Sequence, residues 1–153
     1  MNFNEYPMVF FKRVDNNDLA KVPTRGSEYA AGYDLYAATD SAIEIPAHTT
    51  VKIGTGLAIE LPQGTFGAIF ARSGLATKKG LAPANKVGVI DSDYRGEVIV
   101  ALHNHTDQTQ TIDAGERIAQ IVVMPYVPVR WIESDYLNDT ERGEGGFGST
   151  GTT

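Results

Sequence analysis

The sequence predicts an all-β fold, a jelly-roll-like barrel or sandwich with one short helix and a flexible glycine-rich C-terminal arm. Three observations predict it. Apolar residues alternate with others in short runs, at Val51-Ile53, Leu57-Ile59-Leu61, Phe66-Ala68-Phe70 and Val98-Val100-Leu102, the period of strands with one buried face. Turn-forming clusters punctuate these runs at about ten-residue spacing, typical of sandwiches and barrels: Pro46-Ala47-His48, Pro62-Gln63-Gly64, Asn104 to Asp107 and Asp113-Ala114-Gly115. Finally, 153 residues without an internal repeat suit a single domain large enough to bury its own core.

Taken in order, Ala31-Gly32-Tyr33-Asp34-Leu35-Tyr36-Ala37-Ala38 reads as a strand with Tyr33, Leu35 and Ala37 on one face and Asp34 on the other. The one helix lies between Ser73 and Gly80. Ser73 can cap its start, Lys78 and Lys79 suit its C-terminal dipole, and Gly80 can end it. Ile118 to Val127 is the most apolar stretch, but it holds Gln120 and Pro125 and is too short to span a bilayer. The division expected is a β domain over 1–137 and an arm over 138–153. That arm has five glycines, five Ser/Thr and only Phe147 as a large apolar side chain, too little to order itself.

Composition narrows the chemistry. The chain has no cysteine, so disulfides, thiolate zinc sites, iron–sulfur ligation and cysteine nucleophiles are excluded. A net charge of −6 without a basic run argues against nucleic-acid binding through phosphate neutralisation. With no basic region followed by an apolar stretch at the start, the expectation is a cytoplasmic protein with no membrane or nucleic-acid partner.

Several patterns fail on context. Gly143-x-Gly145-x-x-Gly148 fits the dinucleotide-binding expression but has no strand before it and no βα unit after it. His103 and His105 lie two apart without a third His or Cys nearby, which fits surface histidines better than a metal site.

Other segments carry chemistry. Arg72-Ser73-Gly74, between a strand and a short helix, joins a guanidinium to free backbone N–H groups, which suits phosphate oxygens; a plain helix cap beside a surface arginine fits as well. In Gly88 to Gly96, Asp91 and Asp93 stand two apart, either as turn-forming carboxylates or as a group that accepts a proton from water. Tyr94 beside them offers a flat wall against a sugar. Asp34 is a solvated strand carboxylate, a partner for Arg72, or the holder of an Mg²⁺-bound water. Arg142, Phe147, Ser149 and Thr150 on a glycine-rich backbone make either a solvated tail or a phosphate-and-base clamp that orders around ligand.

Five segments, in order, resemble the five motifs of the trimeric dUTP pyrophosphatases (dUTPases): Ala31-Gly32-Tyr33-Asp34-Leu35, Ala71-Arg72-Ser73-Gly74-Leu75-Ala76, Asn85 to Gly96, Gly115-Glu116-Arg117-Ile118-Ala119-Gln120, and Arg142 to Gly151. Ala71 stands where the family commonly has proline. The resemblance implies an eight-stranded subunit, a homotrimer with three sites shared between chains, and Mg²⁺-assisted hydrolysis of dUTP to dUMP and pyrophosphate. That activity keeps uracil out of DNA and supplies dUMP for thymidylate synthesis. It further implies that Asp91 activates water for in-line attack at the α-phosphorus. Arg72, Ser73, Gly74 and Gln120 hold the inner phosphates, while Arg142, Ser149 and Thr150, with Gly148 between Phe147 and Ser149, close over the outer ones. Asn85 and the hairpin from Gly80 to Asp91, including Val89 and Ile90, read the base. Tyr94 excludes a 2′-hydroxyl, Phe147 stacks on uracil, and Asp34 acts indirectly through a metal-bound water or Arg72. Two other readings remain, a dCTP deaminase, which usually carries Arg-Ser-Ser, and a nucleotide-sensing regulator that binds a partner protein.

Overall fold

Three of the four turn clusters fold back through a backbone hydrogen bond of their own. Thr49 N–H donates to Pro46 O (3.2 Å), Thr65 N–H to Pro62 O (3.2 Å) and Glu116 N–H to Asp113 O (3.0 Å). His48, Gly64 and Gly115 take the positive φ angles these reversals need. The computed structural model describes residues 6–146. Between the turns lie β1 (Phe10–Arg13), a 3-10 turn (Val14–Asn16), β2 (Thr24–Arg25), β3 (Tyr33–Tyr36), β4 (Ile43–Ile45), β5 (Thr50–Glu60), β6 (Thr65–Phe70), α1 (Ser73–Lys79), β7 (Leu81–Pro83), β8 (Gly88–Ile90), β9 (Glu97–Asn104), β10 (Gln110–Ile112) and β11 (Arg117–Pro125).

The strands form a four-stranded sheet ordered β1-β5-β9-β7, a five-stranded sheet ordered β2-β3-β11-β6-β8, and a β10-β4 ribbon. Both larger sheets feed one core: Ile53, Val98, Val100 and Leu102 from the first, Leu35, Ile69, Ile118 and Ile121 from the second. Burial of such side chains supplies the main driving force, at about 25 cal/mol per Å² of apolar surface.

Four details depart from the sequence expectation. The described residues contain eleven strand segments where the resemblance implies eight, several of them only two to four residues long; β7, for example, ends at Pro83. In β6 burial is continuous over Gly67, Ala68 and Ile69, with Phe66 and Phe70 half-buried; Ile69, opposite Ile121, joins the core cluster, so the core face is the one alternate to the Phe66-Ala68-Phe70 run. Extended backbone persists through Arg72 (φ −89°, ψ 129°), so Arg72 rather than Ser73 takes the N-cap position and no side chain caps α1. The expected hairpin from Gly80 to Asp91 is not a ladder: β7 pairs with β9 and β8 with β6. Residues 84–87 therefore cross from one sheet to the other, with Lys86 at φ +66°.

The far end of α1 matches the expectation, with Gly80 in the left-handed region. Lys79 Nζ donates to Thr111 O (2.8 Å) and to the Glu116 carboxylate (2.9 and 3.0 Å), tying the helix to the turn before β11. Asn104, fully buried at the end of β9, uses all its capacity nearby. Its Nδ2 donates to Ile45 O and Gln108 O, and its Oδ1 accepts from Thr106 N–H and Oγ1–H. Replacing Asn104 by Ala leaves these groups unpaired, and a loss of about 2–3 kcal/mol is expected in urea unfolding.

Candidate active site

The first group of site residues is assembled by β11, which lies between β3 and β6. Gln120 is the register partner of Asp34 on one side and of Phe70 on the other. Two residues beyond Phe70 the chain reaches Arg72, so strand pairing alone brings Asp34, Gln120 and Arg72 to one place. Arg72 Nε donates to Asp34 Oδ1 at 2.7 Å, and Arg117 Nη1 donates to Asp34 Oδ2 at 3.2 Å. Asp34 is the most enclosed of the three, its side chain 13% exposed against 25% for Arg72 and 51% for Arg117. One carboxylate between two guanidiniums leaves this corner with a net positive charge. Among the described residues neither Nη of Arg72 has a hydrogen-bond partner, which leaves both available to an anion.

Gln120 Nε2 donates to Ala71 O at 2.9 Å, pinning the backbone just before Arg72. A Cβ at Gly32 would overlap Gln120 Oε1 and crowd the Cδ and Cβ of the same side chain at 3.1 and 3.3 Å, so glycine leaves this amide its room just before β3. Ser73 and Gly74 follow on the exposed first turn of α1.

A second group surrounds Asp91, which follows β8. Tyr94 N–H donates to Asp91 O (3.1 Å), closing a tight turn. The Tyr94 hydroxyl donates to Glu97 O at 3.1 Å, and a Cβ at Gly96 would collide with the ring. Val89, Ile90, Asp91, Tyr94, Glu97 and Ile99 line a recess of about 160 Å³. On its other side Asp91 borders an open cleft of about 860 Å³ shared with Phe66, Val89 and Asp93. Among the described residues the Asp91 carboxylate has no hydrogen-bond or ion-pair partner, so a water or a hydroxyl can take one. Asn85 lies in the crossing segment, its amide against Gly88.

One chain does not bring the two groups together. Ile90 pairs with Gly67 near the start of β6, whereas Arg72 lies beyond Phe70 at its end. The four residue steps from Phe66 to Phe70 alone span roughly 13 Å. Arg142 joins neither group; its Nε donates to Gly145 O (2.8 Å) within an exposed turn. Phe147, Gly148, Ser149 and Thr150 lie outside the described residues.

Sequence reasoning missed Gly32, Arg117, Glu97 and Ile99. Arg117 and Gly32 stand inside motifs, but only the sheet register shows what they touch. Glu97 and Ile99 reach the recess from β9, which no local spacing announces.

The dUTPase family model matches residues 18–151. The chain belongs to the dUTPase family. A deoxyuridine 5′-triphosphate nucleotidohydrolase of Desulfitobacterium hafniense is 52% identical over 141 residues, covering 92% of this chain and 93% of that protein. The Candida albicans enzyme of the same name is 51% identical over 133 residues, covering 86% of this chain and 81% of its own. Among solved structures, the dUTPase of Staphylococcus bacteriophage 80alpha with dUpNHpp superposes with a TM-score of 0.86 at 26% identity, covering 95% of this chain and 99% of that one. The Streptococcus mutans dUTPase gives 0.72 at 37%, covering 79% and 98%.

dUTPases generally use Mg²⁺. The described residues do not fit a resident ion: no group of three or more His, Asp or Glu side chains converges, and both Asp34 oxygens already face guanidinium groups. His103 Nδ1 instead pairs with Thr50 Oγ1 (2.9 Å), and its ring meets His105 edge-on at 4.6 Å. Burial, with the charges of His103, Lys86 and His48, lowers the pKa of His105. No helix among the described residues is long and apolar enough to cross a membrane.

Because Gly32 makes room for Gln120, Gly32→Ala is expected to displace that amide and cut dUTP turnover about tenfold to a hundredfold. Adding Gln120→Ala to Gly32→Ala should then cost little more. Turnover measured for both single variants and the double variant checks this.

Proposed function

We propose that this dUTPase hydrolyses dUTP to dUMP and pyrophosphate at sites shared between chains of a homotrimer. The observation that carries this reading is the division of labour along β6: an anchored guanidinium with free Nη groups at one end, and an unpaired carboxylate beside a tyrosine ring at the other. Because the ladder holds the two ends apart, this reading pairs Arg72 of one chain with Asp91 of another. The segment after β11 supports such assembly. Val127, Trp131, Ile132, Tyr136 and Leu137 are 75% exposed or more, a set of apolar side chains that a neighbouring copy would cover.

In this reading Arg72, Ser73, Gly74 and Gln120 hold the inner phosphates, with Asp34 acting through Arg72. Asp91 accepts a proton from water as the water oxygen attacks the α-phosphorus, and the bond from that phosphorus to the bridging oxygen breaks to release pyrophosphate. Mg²⁺ accompanies the triphosphate and offsets its charge; none of the residue roles assigned here depends on a bound ion. Tyr94 and Ile90, with Asp91, receive the deoxyribose in their recess, and Asn85 with the crossing segment and Val89 reads uracil by its donor and acceptor pattern. Residues 138–153 form an arm that brings Arg142, Ser149 and Thr150 to the outer phosphates and Phe147 onto the base. The proposed location is the cytoplasm, where nucleoside triphosphates are made and used.

The direct test incubates the protein with each deoxynucleoside triphosphate and Mg²⁺ and separates the products. Only dUTP should yield monophosphate and pyrophosphate, and Asp91→Asn should lower the rate by about a hundredfold or more; ammonia released from dCTP would replace this reading with deamination. Complementation tests the shared site. Arg72→Gln and Asp91→Asn chains, each inactive alone, should regain activity when unfolded and refolded together, whereas continued inactivity would show that each site is built from one chain. Truncation after Asn138 is expected to leave a folded trimer by sedimentation with little turnover.

A further inference from the structure

The pairing of β11 with β3 is broken once. Gln120 is opposite Asp34 and Ala119 opposite Leu35, yet Tyr36 is opposite Arg117 and not Ile118. The extra residue is a β-bulge, and its effect on side-chain direction is visible in burial: Ile118 and Ala119 are consecutive and both fully buried. In an unbroken ladder alternation would send residue 118 to the face of Asp34 and residue 117 into the core. The bulge reverses that, keeping Ile118 inside and turning Arg117 onto the face that carries Asp34 and Gln120. From its position opposite Tyr36, Arg117 is a diagonal neighbour of Asp34, within reach of a long side chain, and its Nη1 sits 3.2 Å from Oδ2.

We propose that Arg117 is a positioning residue for dUTP hydrolysis, which holds Oδ2 of Asp34 so that Oδ1 fixes Nε of Arg72 and aims the free Nη groups of Arg72 at the phosphates. A carboxylate bonded through one oxygen still turns about its side-chain torsion; bonded through both, to Arg117 on β11 and to Arg72 at the start of α1, its plane is set. Arg117 also offsets the charge of Asp34, so Arg72 presents its full positive charge to the triphosphate. Bulges recur beside active sites because they re-aim a side chain in this way. The inference rests on the reading of Arg72 as a phosphate-binding residue.

The test is a double-mutant cycle on kcat/KM for dUTP, with thermal melting of every variant. Arg117→Gln is expected to lower kcat/KM about tenfold or more, the usual effect of losing a supporting partner. Arg117→Lys, which keeps the charge but not the planar fork, should recover part of it. In an Asp34→Asn background the same Arg117→Gln change should cost less than about twofold, since it then has little to hold. Equal losses in both backgrounds, or an unchanged kcat/KM in Arg117→Gln, would overturn the proposal. Arg72→Gln run alongside separates the two failures. If Arg72→Gln is as active as the wild type, the phosphate reading falls and this inference with it; if Arg72→Gln collapses while Arg117→Gln does not, only the positioning role falls.

Discussion

A strand cannot fold back on itself, and β6 puts that constraint into the five-stranded sheet, between its central strand and one edge. It carries β11 along one edge and β8 along the other, so what leaves its start and what leaves its end stay apart by the length of the ladder. Arg72 emerges from one end and the Asp91 turn faces the other. A subunit organised this way displays its two residue groups on opposite rims, with the length of the ladder between them.

At each rim, a small residue permits a close approach and a backbone group is then fixed by a polar side chain. Gly32 gives way to Gln120, which secures the carbonyl of Ala71; Gly96 gives way to Tyr94, whose hydroxyl secures the carbonyl of Glu97. In both cases the functional side chain is held by the shape of the strand beside it. Such pre-set geometry limits the conformational freedom to be lost when a charged ligand binds.

Much of this was legible in the sequence. The turn clusters, the alternating runs Val51-Ile53, Leu57-Ile59-Leu61 and Val98-Val100-Leu102 and the Gly80 terminus of α1 follow from local rules of alternation and turn chemistry, although the first two runs join into the single strand β5. The five motif segments pointed to Arg72, Asp91, Tyr94 and Gln120 before any register was known. What escaped was set by pairing between distant segments. No local signal says that Leu81–Pro83 and Gly88–Ile90 join different sheets, since both halves read as one hairpin. Ser73 looks like a helix cap because capping residues are recognised by type, while the extended backbone running through Arg72 decides the actual boundary. Arg117 sits in plain view within its motif, yet a period-two reading of β11 would have pointed it into the core.

That last strand has a consequence for how such a chain can change over time. Between Arg117 and Ala119 the count of residues matters more than their identity. Gaining or losing one residue there would exchange inward and outward positions along everything on one side of the irregularity, stranding a guanidinium in the core and an isoleucine in solvent. Conservative replacement at the same positions leaves the phase intact. Length variation among descendants of this sequence should therefore be absorbed in exposed reversals such as the one around Gly64, while the short stretch from Arg117 to Gln120 keeps its spacing even where its letters drift.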